Sequence, residues 1–346
     1  LINLNRVQPD LVRQNTKLLF VHDWLAWKFT QEIVTEMTLV SAGQMVKLSD
    51  KGIHAELLDF FGIPEDILPK PHKFGTSLGS INAQRLSILS PLWSHAEVLV
   101  GGGDSHFLHM GASLNQAGKV VVSAGSSTPI SLLSTSMGSS TVLQPWKSTS
   151  FKDSMYFLEG NLGYPGSFFG WLNKNASKPI SLGALSLENI SNAPAVFGSC
   201  NMWNEEKWGS RPPFSILGDF SKSNTNEIAL GLMLDYSFAL ANQISALLDD
   251  GFEVDQVILT GGGASSQLQL ILGSLLDIPV GKIASDDAIS NLFSMLDDDQ
   301  RDLLGFGNST LTLDSETSAI LKSKAKNHAL MYSQLEGARE VLENAS

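Results

Sequence analysis

The chain has 346 residues, which is enough to bury a large core and predicts two domains. A formal net charge of −12 argues against a nucleic-acid or anionic-membrane surface, because both require a basic face on the protein. The single cysteine, Cys200, excludes an internal disulfide and favours a reducing, cytoplasmic setting, and no apolar stretch has transmembrane length.

Helices separated by turns are predicted over the first part of the chain. Residues 1–14 have the pattern of a helix already under way, so we expect the chain to begin inside a longer protein. Apolar residues at mixed three- and four-residue spacing predict a helix from Leu18 to Phe29. Another helix is predicted within Leu48–Ile63, with Ser49 or Asp50 as its N-cap, and the prolines that follow end it.

Three glycine-rich turns end short runs of β-branched and aliphatic residues. They are Val98–Asp104 (VLVGGGD), Val120–Ser127 (VVVSAGSS) and Val257–Ala264 (VILTGGGA), the last leading into a helical pattern from Gln267 to Leu276. A buried strand that ends in glycine lets a ligand approach the backbone, and a following helix adds free N–H groups. These turns predict a site for a nucleotide or phosphorylated ligand, with Asp104 beside it. In so acidic a chain, backbone amides and a metal cation would bind the phosphate more than lysines.

The rest of the pattern is that of an α/β protein. Gly166 is predicted to begin a helix, and Glu227–Leu248 is apolar nearly all round, which predicts a long buried helix. A last helix is predicted over Ser318–Leu342. Alternation of strand, helix and strand favours an α/β architecture with ligand sites where the strands end. A Rossmann-type dehydrogenase is excluded, because no Gly-x-Gly-x-x-Gly turn opens the chain.

Five segments together resemble the FGGY family of carbohydrate kinases, the glycerol, xylulose and rhamnulose kinases of the actin-like ATPase superfamily. In chain order these segments are HDWLAWKFTQEIVTEMTLVSA, LLDFFGIPEDILPKPHKFGTSLGSI, VLVGGGDSHFLHMGA, VVVSAGSS and LTGGGASSQLQ. The resemblance implies an α/β fold of ribonuclease H-like (actin-like ATPase) domains, with a mixed sheet flanked by helices. It also implies that residues 1–108 are the C-terminal part of a first domain and residues 109–346 a complete second, nucleotide-binding domain. The rest of the first domain, with an Asp-x-Gly-Thr motif, is expected before Leu1.

The same resemblance implies an enzyme that transfers the γ-phosphate of ATP to a hydroxyl of a sugar or polyol, with Mg²⁺ as cofactor. Asp104 would be the catalytic base, would contact the substrate and would bind the metal. The nucleotide-binding residues would be Gly125, Ser126, Ser127, Gly166, Gly261, Gly262, Gly263, Ala264 and Ser266. Residues 1–346 alone are expected to have no catalytic activity, because half of the active-site cleft would be missing.

Alternatives stay open at several of these positions. Asp104 has the alternative role of capping the turn after its strand, and His106 and His109 are interpreted as packed or solvated histidines rather than ligands. The pair Asp235-Tyr236 stands where the family has Glu-Gly, and Ala288–Phe293 replaces a small-residue run. These departures motivate a second hypothesis, a non-catalytic sugar- or nucleotide-binding regulator. The sequence does not identify the sugar, and it leaves open whether the protein forms a homodimer.

Overall fold

The structure is a computed structural model that describes residues 1–13, 16–81, 96–138, 145–163, 165–198, 215–217, 223–284 and 311–344. The α-helices described are α1 Ile2–Val7, α2 Val21–Thr30, α3 Met37–Ala42, α4 Ala55–Phe60, α5 Asp104–Ser113, α6 Pro165–Asn175, α7 Thr225–Asp249, α8 Ser266–Leu275 and α9 Ser315–Asn344. The first six strands are β1 Thr35–Glu36, β2 Val46–Lys47, β3 Gly52–Ile53, β4 Pro71–His72, β5 Ser77–Ser80 and β6 Glu97–Leu99. The others are β7 Lys119–Ser123, β8 Pro129–Ser134, β9 Trp146–Thr149, β10 Tyr156–Asn161, β11 Ala195–Phe197, β12 Ser215–Leu217, β13 Gln256–Thr260 and β14 Val280–Lys282.

The largest sheet is mixed and has six strands in the order β14-β13-β7-β8-β10-β9. Strands β7 and β13 are parallel, with Val120 opposite Val257 and Ser123 opposite Thr260, whereas β7 and β8 are antiparallel. Carboxyl ends of adjacent parallel strands meet at the same edge of a sheet. The two glycine turns that follow β7 and β13 are therefore neighbours.

The chain divides into two compact units. Unit 1 consists of Leu1–Phe107 with Ser148–Phe157, and unit 2 of Leu108–Lys147 with Leu158–Ser346. The core of unit 1 includes Val40, which is fully buried. In unit 2 the largest core cluster packs apolar residues of β7, β13, α7 and α8 together. The family boundary expected between residues 108 and 109 remains a prediction.

Several predicted elements have the bounds that their residues indicated. Strands β7 and β13 coincide with the runs of branched aliphatic residues before their glycines, and β13 is buried along its whole length. Helix α7 begins two residues before the prediction because Asn224 caps it. The Asn224 side chain accepts the N–H of Glu227 at 3.1 Å, and the Glu227 carboxylate accepts the N–H of Asn224 at 2.9 Å. This reciprocal capping box fixes the start of the most buried helix.

The helix predicted within Leu48–Ile63 was too long. The chain first makes β3, and α4 covers only six residues. Neither Ser49 nor Asp50 caps this helix; the ring nitrogen Nδ1 of His54 does, by accepting an N–H at 3.2 Å. Lys51, which lies between Asp50 and His54, has a left-handed backbone conformation with φ 56°. This conformation interrupts any helix that would start earlier.

No helix within the described ranges has the length and hydropathy that crossing a bilayer requires. Cys200 and the Ala288–Phe293 segment, both singled out from the sequence, lie outside the described residues.

Candidate active site

Asp104 lies at the start of helix α5 in unit 1, directly after the glycine turn that follows β6. Its carboxylate is exposed, and Oδ1 accepts the N–H of Ser105 at 2.8 Å. The glycines before it are tightly enclosed: a Cβ added at Gly102 would lie 2.5 Å from the Phe151 ring, and one added at Gly103 would lie 2.7 Å from Nδ1 of His106. A side chain therefore does not fit at positions 102 and 103 without movement of these rings, and the turn presents the Asp104 carboxylate to solvent.

The turn is also hydrogen-bonded to the segment that begins α3. The N–H of Gly103 donates to the Thr38 hydroxyl oxygen at 3.1 Å. The Thr38 hydroxyl in turn donates to the Glu36 carboxylate, which also accepts the N–H of Thr38 at 2.8 Å. Glu36 is only 4% exposed, and its burial raises its pKa from 4.5 to about 7. Sequence analysis had not assigned a role to this buried acid.

The two histidines after Asp104 are packed inside the protein, as the favoured interpretation predicted. His106 stacks on Phe157 with ring centroids 3.9 Å apart, and its Nε2 lies 3.1 Å from the carbonyl oxygen of Thr149. Burial lowers the pKa of His106 to about 4, so it is a neutral ring at physiological pH. His109 is buried and pairs through Nδ1 with the Ser131 hydroxyl at 2.8 Å. Neither belongs to a group of three or more ligating side chains within the described residues.

In unit 2, the turn after β7 lies directly against the first residues of helix α6. A Cβ added at Gly166 would be 2.5 Å from the carbonyl oxygen of Gly125 and 2.8 Å from Cα of Ser126. The N–H of Gly125 is already used, since it donates to the carbonyl oxygens of Ser123 and Ser127. Ser126 is exposed, and neither its amide nor its hydroxyl has a hydrogen-bond partner among the described residues. Its amide and hydroxyl are therefore donors that this turn offers to a ligand.

The turn after β13 packs on the first turn through backbone contacts. Gly261 has φ 90°, and an added Cβ there would lie 2.7 Å from the carbonyl oxygen of Ala124. The N–H of Gly263 donates to that same oxygen at 2.8 Å. Gly262 is exposed and has open space where a side chain would stand. Two turns that are far apart in sequence therefore form one continuous backbone surface.

Residues of both turns line a cavity of about 460 Å³ in unit 2. This volume is within the range of small-molecule sites. Five of the predicted site residues line the cavity: Gly125, Ser126, Gly166, Gly262 and Gly263. The other walls come from Ala124, Phe169, Gly170, Asn173, Ile180, Leu182, Met233, Tyr236 and Leu268. None of these described lining residues carries a formal charge.

Four predicted residues do not line the cavity: Ser127, Gly261, Ala264 and Ser266. Gly261 acts through backbone shape instead, as its positive φ shows. At the start of α8, the neighbouring Ser265 is the cap, because its hydroxyl oxygen accepts the N–H of Leu268 at 3.1 Å. The Ser266 hydroxyl lies 3.4 Å from the ammonium of Lys282.

The Asp235-Tyr236 pair, a departure from the family pattern, takes two separate roles in the structure. Asp235 is buried, with Oδ1 accepting a hydrogen bond from Nε2 of His328 at 2.8 Å and Oδ2 accepting the N–H of Gly198 at 3.1 Å. Tyr236 instead lines the cavity, and its hydroxyl lies 3.3 Å from that of Thr128. Burial raises the Tyr236 pKa above its ordinary value, so the phenol stays protonated. The sequence placed both residues on a buried helix but had no signal for either partner.

Comparisons with known proteins define the fold class first. The structure superposes on the xylulose kinase from Rhodospirillum rubrum with a TM-score of 0.77 at 18% identity, covering 97% of this chain and 71% of that one. It also matches the Plasmodium falciparum glycerol kinase crystallised with ADP, with a TM-score of 0.75 at 17% identity, covering 95% of this chain and 70% of that one. These matches confirm the predicted α/β fold of the actin-like ATPase type.

The sequence itself matches carbohydrate kinases over part of its length. Residues 3–111 match the N-terminal domain of the FGGY family of carbohydrate kinases. A segment of 118 residues is 30% identical to the autoinducer-2 kinase of Enterobacter sp. (strain 638), covering 34% of this chain and 22% of that protein. The corresponding kinase of Yersinia enterocolitica is 29% identical over 125 residues, 36% of this chain and 23% of that protein. The chain thus spans less than a quarter of these relatives, and the match of residues 3–111 to the FGGY family model confirms the resemblance.

Proposed function

We propose that the protein transfers the γ-phosphoryl group of ATP to a hydroxyl group of a sugar or polyol. The observation that carries this proposal is the cavity in unit 2, where two glycine turns and the first residues of α6 meet and no described lining residue is charged. Exposed backbone amides beside a helix N-terminus suit a polyphosphate. The FGGY match of residues 3–111 supports an alcohol as the acceptor.

Different parts of the cavity would bind different parts of the nucleotide. Ser126 would donate its amide and hydroxyl hydrogens to phosphate oxygens, and Gly262 lies exposed on the adjoining turn. Gly125 and Gly263 would contribute by keeping the backbone close, because their own N–H groups are bonded within the fold. The apolar walls around Phe169 suit the faces of an adenine ring, as is usual for the main body of a ligand pocket.

Asp104 would orient the acceptor hydroxyl and take its proton as the new O–P bond forms. An exposed carboxylate at a fixed position suits this role, because phosphoryl transfer asks the protein mainly to align the groups. Magnesium would neutralise the phosphate charge, and it typically keeps several waters while binding one or two carboxylates. Asp104 is the residue that would supply such a carboxylate here. Cytoplasmic location remains a prediction from the single cysteine.

The proposal is tested with the full-length protein, ATP, Mg²⁺ and a panel of polyols and ketoses. The panel includes glycerol, xylulose, rhamnulose and autoinducer-2. Each of these compounds appears in the name of a kinase of the family or of a relative described above. We expect ADP release that depends on one acceptor. Absence of turnover with every acceptor, from a folded protein that binds ATP, would contradict the proposal and favour the regulator hypothesis.

A further inference from the structure

The buried acid Glu36 and its neighbour Thr38 connect to the turn that carries Asp104, although none of the functional motifs includes them in that role. Glu36 is the N-cap residue of α3 and is 4% exposed, while Thr38 is fully buried. Their side chains form a short chain of hydrogen bonds: Gly103 N–H to the Thr38 oxygen, then Thr38 O–H to the Glu36 carboxylate. All of these residues belong to unit 1.

This chain of hydrogen bonds holds the backbone of Gly103, the residue immediately before Asp104. The carbonyl oxygen of Gly103 accepts the N–H of Phe107 at 3.0 Å, which is the first helical bond of α5. Its N–H is held by Thr38 at 3.1 Å. With both backbone groups of Gly103 bonded, the direction in which Asp104 leaves the turn is fixed.

Glu36 lies against the same turn and is costly to bury. A Cβ added at Gly102 would be 3.2 Å from Oε2 of Glu36, so the carboxylate lies close to the backbone there. Burial raises the pKa of Glu36, and the nearby Asp23 carboxylate raises it further. Glu36 has no cationic partner among the described residues, and retaining such a buried acid is unfavourable for stability. Groups of this kind concentrate at functional sites.

We propose that Glu36 and Thr38 are positioning residues for Asp104, acting through the backbone of Gly103. This inference rests on the proposed phosphoryl transfer. The carboxylate orients the Thr38 hydroxyl so that its lone pair faces the Gly103 N–H. As a consequence, the Asp104 carboxylate is held in one orientation before the substrate binds. This alignment in advance increases the rate of the chemical step.

Thr38→Val tests the inference in the full-length protein, because valine has the shape of threonine but cannot accept the Gly103 N–H. We expect kcat to fall by about tenfold to a hundredfold while the KM for ATP stays within about twofold. Thr38→Ser keeps the hydroxyl and should restore kcat. Glu36→Gln should lower kcat severalfold, because a neutral amide oxygen is a weaker acceptor than the carboxylate oxygen Oε2, which accepts both hydrogen bonds from Thr38.

Thr35→Val is the matched control. Thr35 is also fully buried and donates to a buried carboxylate, Oδ2 of Asp23 at 2.7 Å, but no bond joins its side chain to Gly103 in the described structure. It should lose stability without losing kcat. An unchanged kcat in both Thr38→Val and Glu36→Gln, or an equal loss in Thr35→Val, would overturn the inference.

Amide hydrogen exchange at Gly103 separates this inference from the proposed function. We expect exchange at Gly103 to be at least about tenfold faster in Thr38→Val than in the unsubstituted protein, Thr38→Ser or Thr35→Val. If the unsubstituted protein is inactive, the proposed function is contradicted. The exchange measurement still decides whether Thr38 holds the Gly103 N–H. Equal exchange in all four proteins would refute the positioning role, whatever the activity.

Discussion

Replacing Gly166 by alanine would put a methyl group where the structure has no room for one. The added Cβ would lie 2.5 Å from the carbonyl oxygen of Gly125 and 2.8 Å from Cα of Ser126, and both are backbone atoms. Helix α6 or the turn must therefore move by about 1 Å to reach an ordinary contact distance. Overpacking of this kind costs about 1–3 kcal/mol, and the helix preference of alanine offsets up to about 1 kcal/mol.

We expect Gly166→Ala to lower the free energy of unfolding by about 1–2 kcal/mol and to weaken ATP binding about tenfold, because the displaced turn contains Ser126. Urea unfolding and calorimetric titration with ATP measure the two effects. Gly170→Ala is the control on the same helix, since an added Cβ there meets nothing within 4 Å. The control should be as stable as the unsubstituted protein or slightly more so. A Gly166→Ala protein with unchanged stability and ATP affinity would refute the close packing of α6 on the turn.

Two further predictions concern buried acids. Because the pKa of Glu36 is raised to about 7 in the folded protein, its contribution to stability is complete below pH 4.5 and is lost as the pH rises through 7. Glu36→Gln should remove up to about 3 kcal/mol of that pH dependence in urea unfolding, and an unchanged pH profile would contradict the raised pKa. Asp235→Asn should destabilise the protein by about 1–3 kcal/mol, because the amide cannot accept from both His328 and Gly198. Asp249→Asn, an exposed position on the same helix, should change stability by less than about 0.5 kcal/mol; equal effects would refute the buried pair.

Local chemistry explains which elements could be predicted from the sequence. The bounds of β7 and β13 follow from branched aliphatic runs that stop at small residues, and α7 is recognisable because it is apolar on nearly every face. The helix predicted within Leu48–Ile63 failed because Lys51 adopts a positive φ, which its residue type does not signal. A ring nitrogen of His54 then replaced the expected hydroxyl or carboxylate cap.

Residues of the candidate site could be predicted only where a local sequence pattern, such as a glycine turn after an apolar strand, marks them. Glycine turns can be recognised in the sequence, but tertiary packing decides which of their amides are available to a ligand. The N–H groups of Gly125 and Gly263 donate to backbone carbonyls, whereas that of Ser126 does not. The contact between Tyr236 and Thr128 joins residues 108 positions apart, so no local pattern predicts it. The Glu36 network was missed for the same reason, since its function depends on a hydrogen bond between Thr38 and Gly103.

The most direct test of phosphoryl transfer compares the full-length protein with its Asp104→Asn variant, using ATP labelled in the γ-phosphate and the best acceptor of the panel. The asparagine keeps the shape of the side chain but cannot take the alcohol proton. We predict that label appears on the acceptor and that the substitution lowers kcat by about 10²- to 10⁴-fold while ATP still binds. Transfer of label at an undiminished rate in Asp104→Asn would contradict the account of this carboxylate.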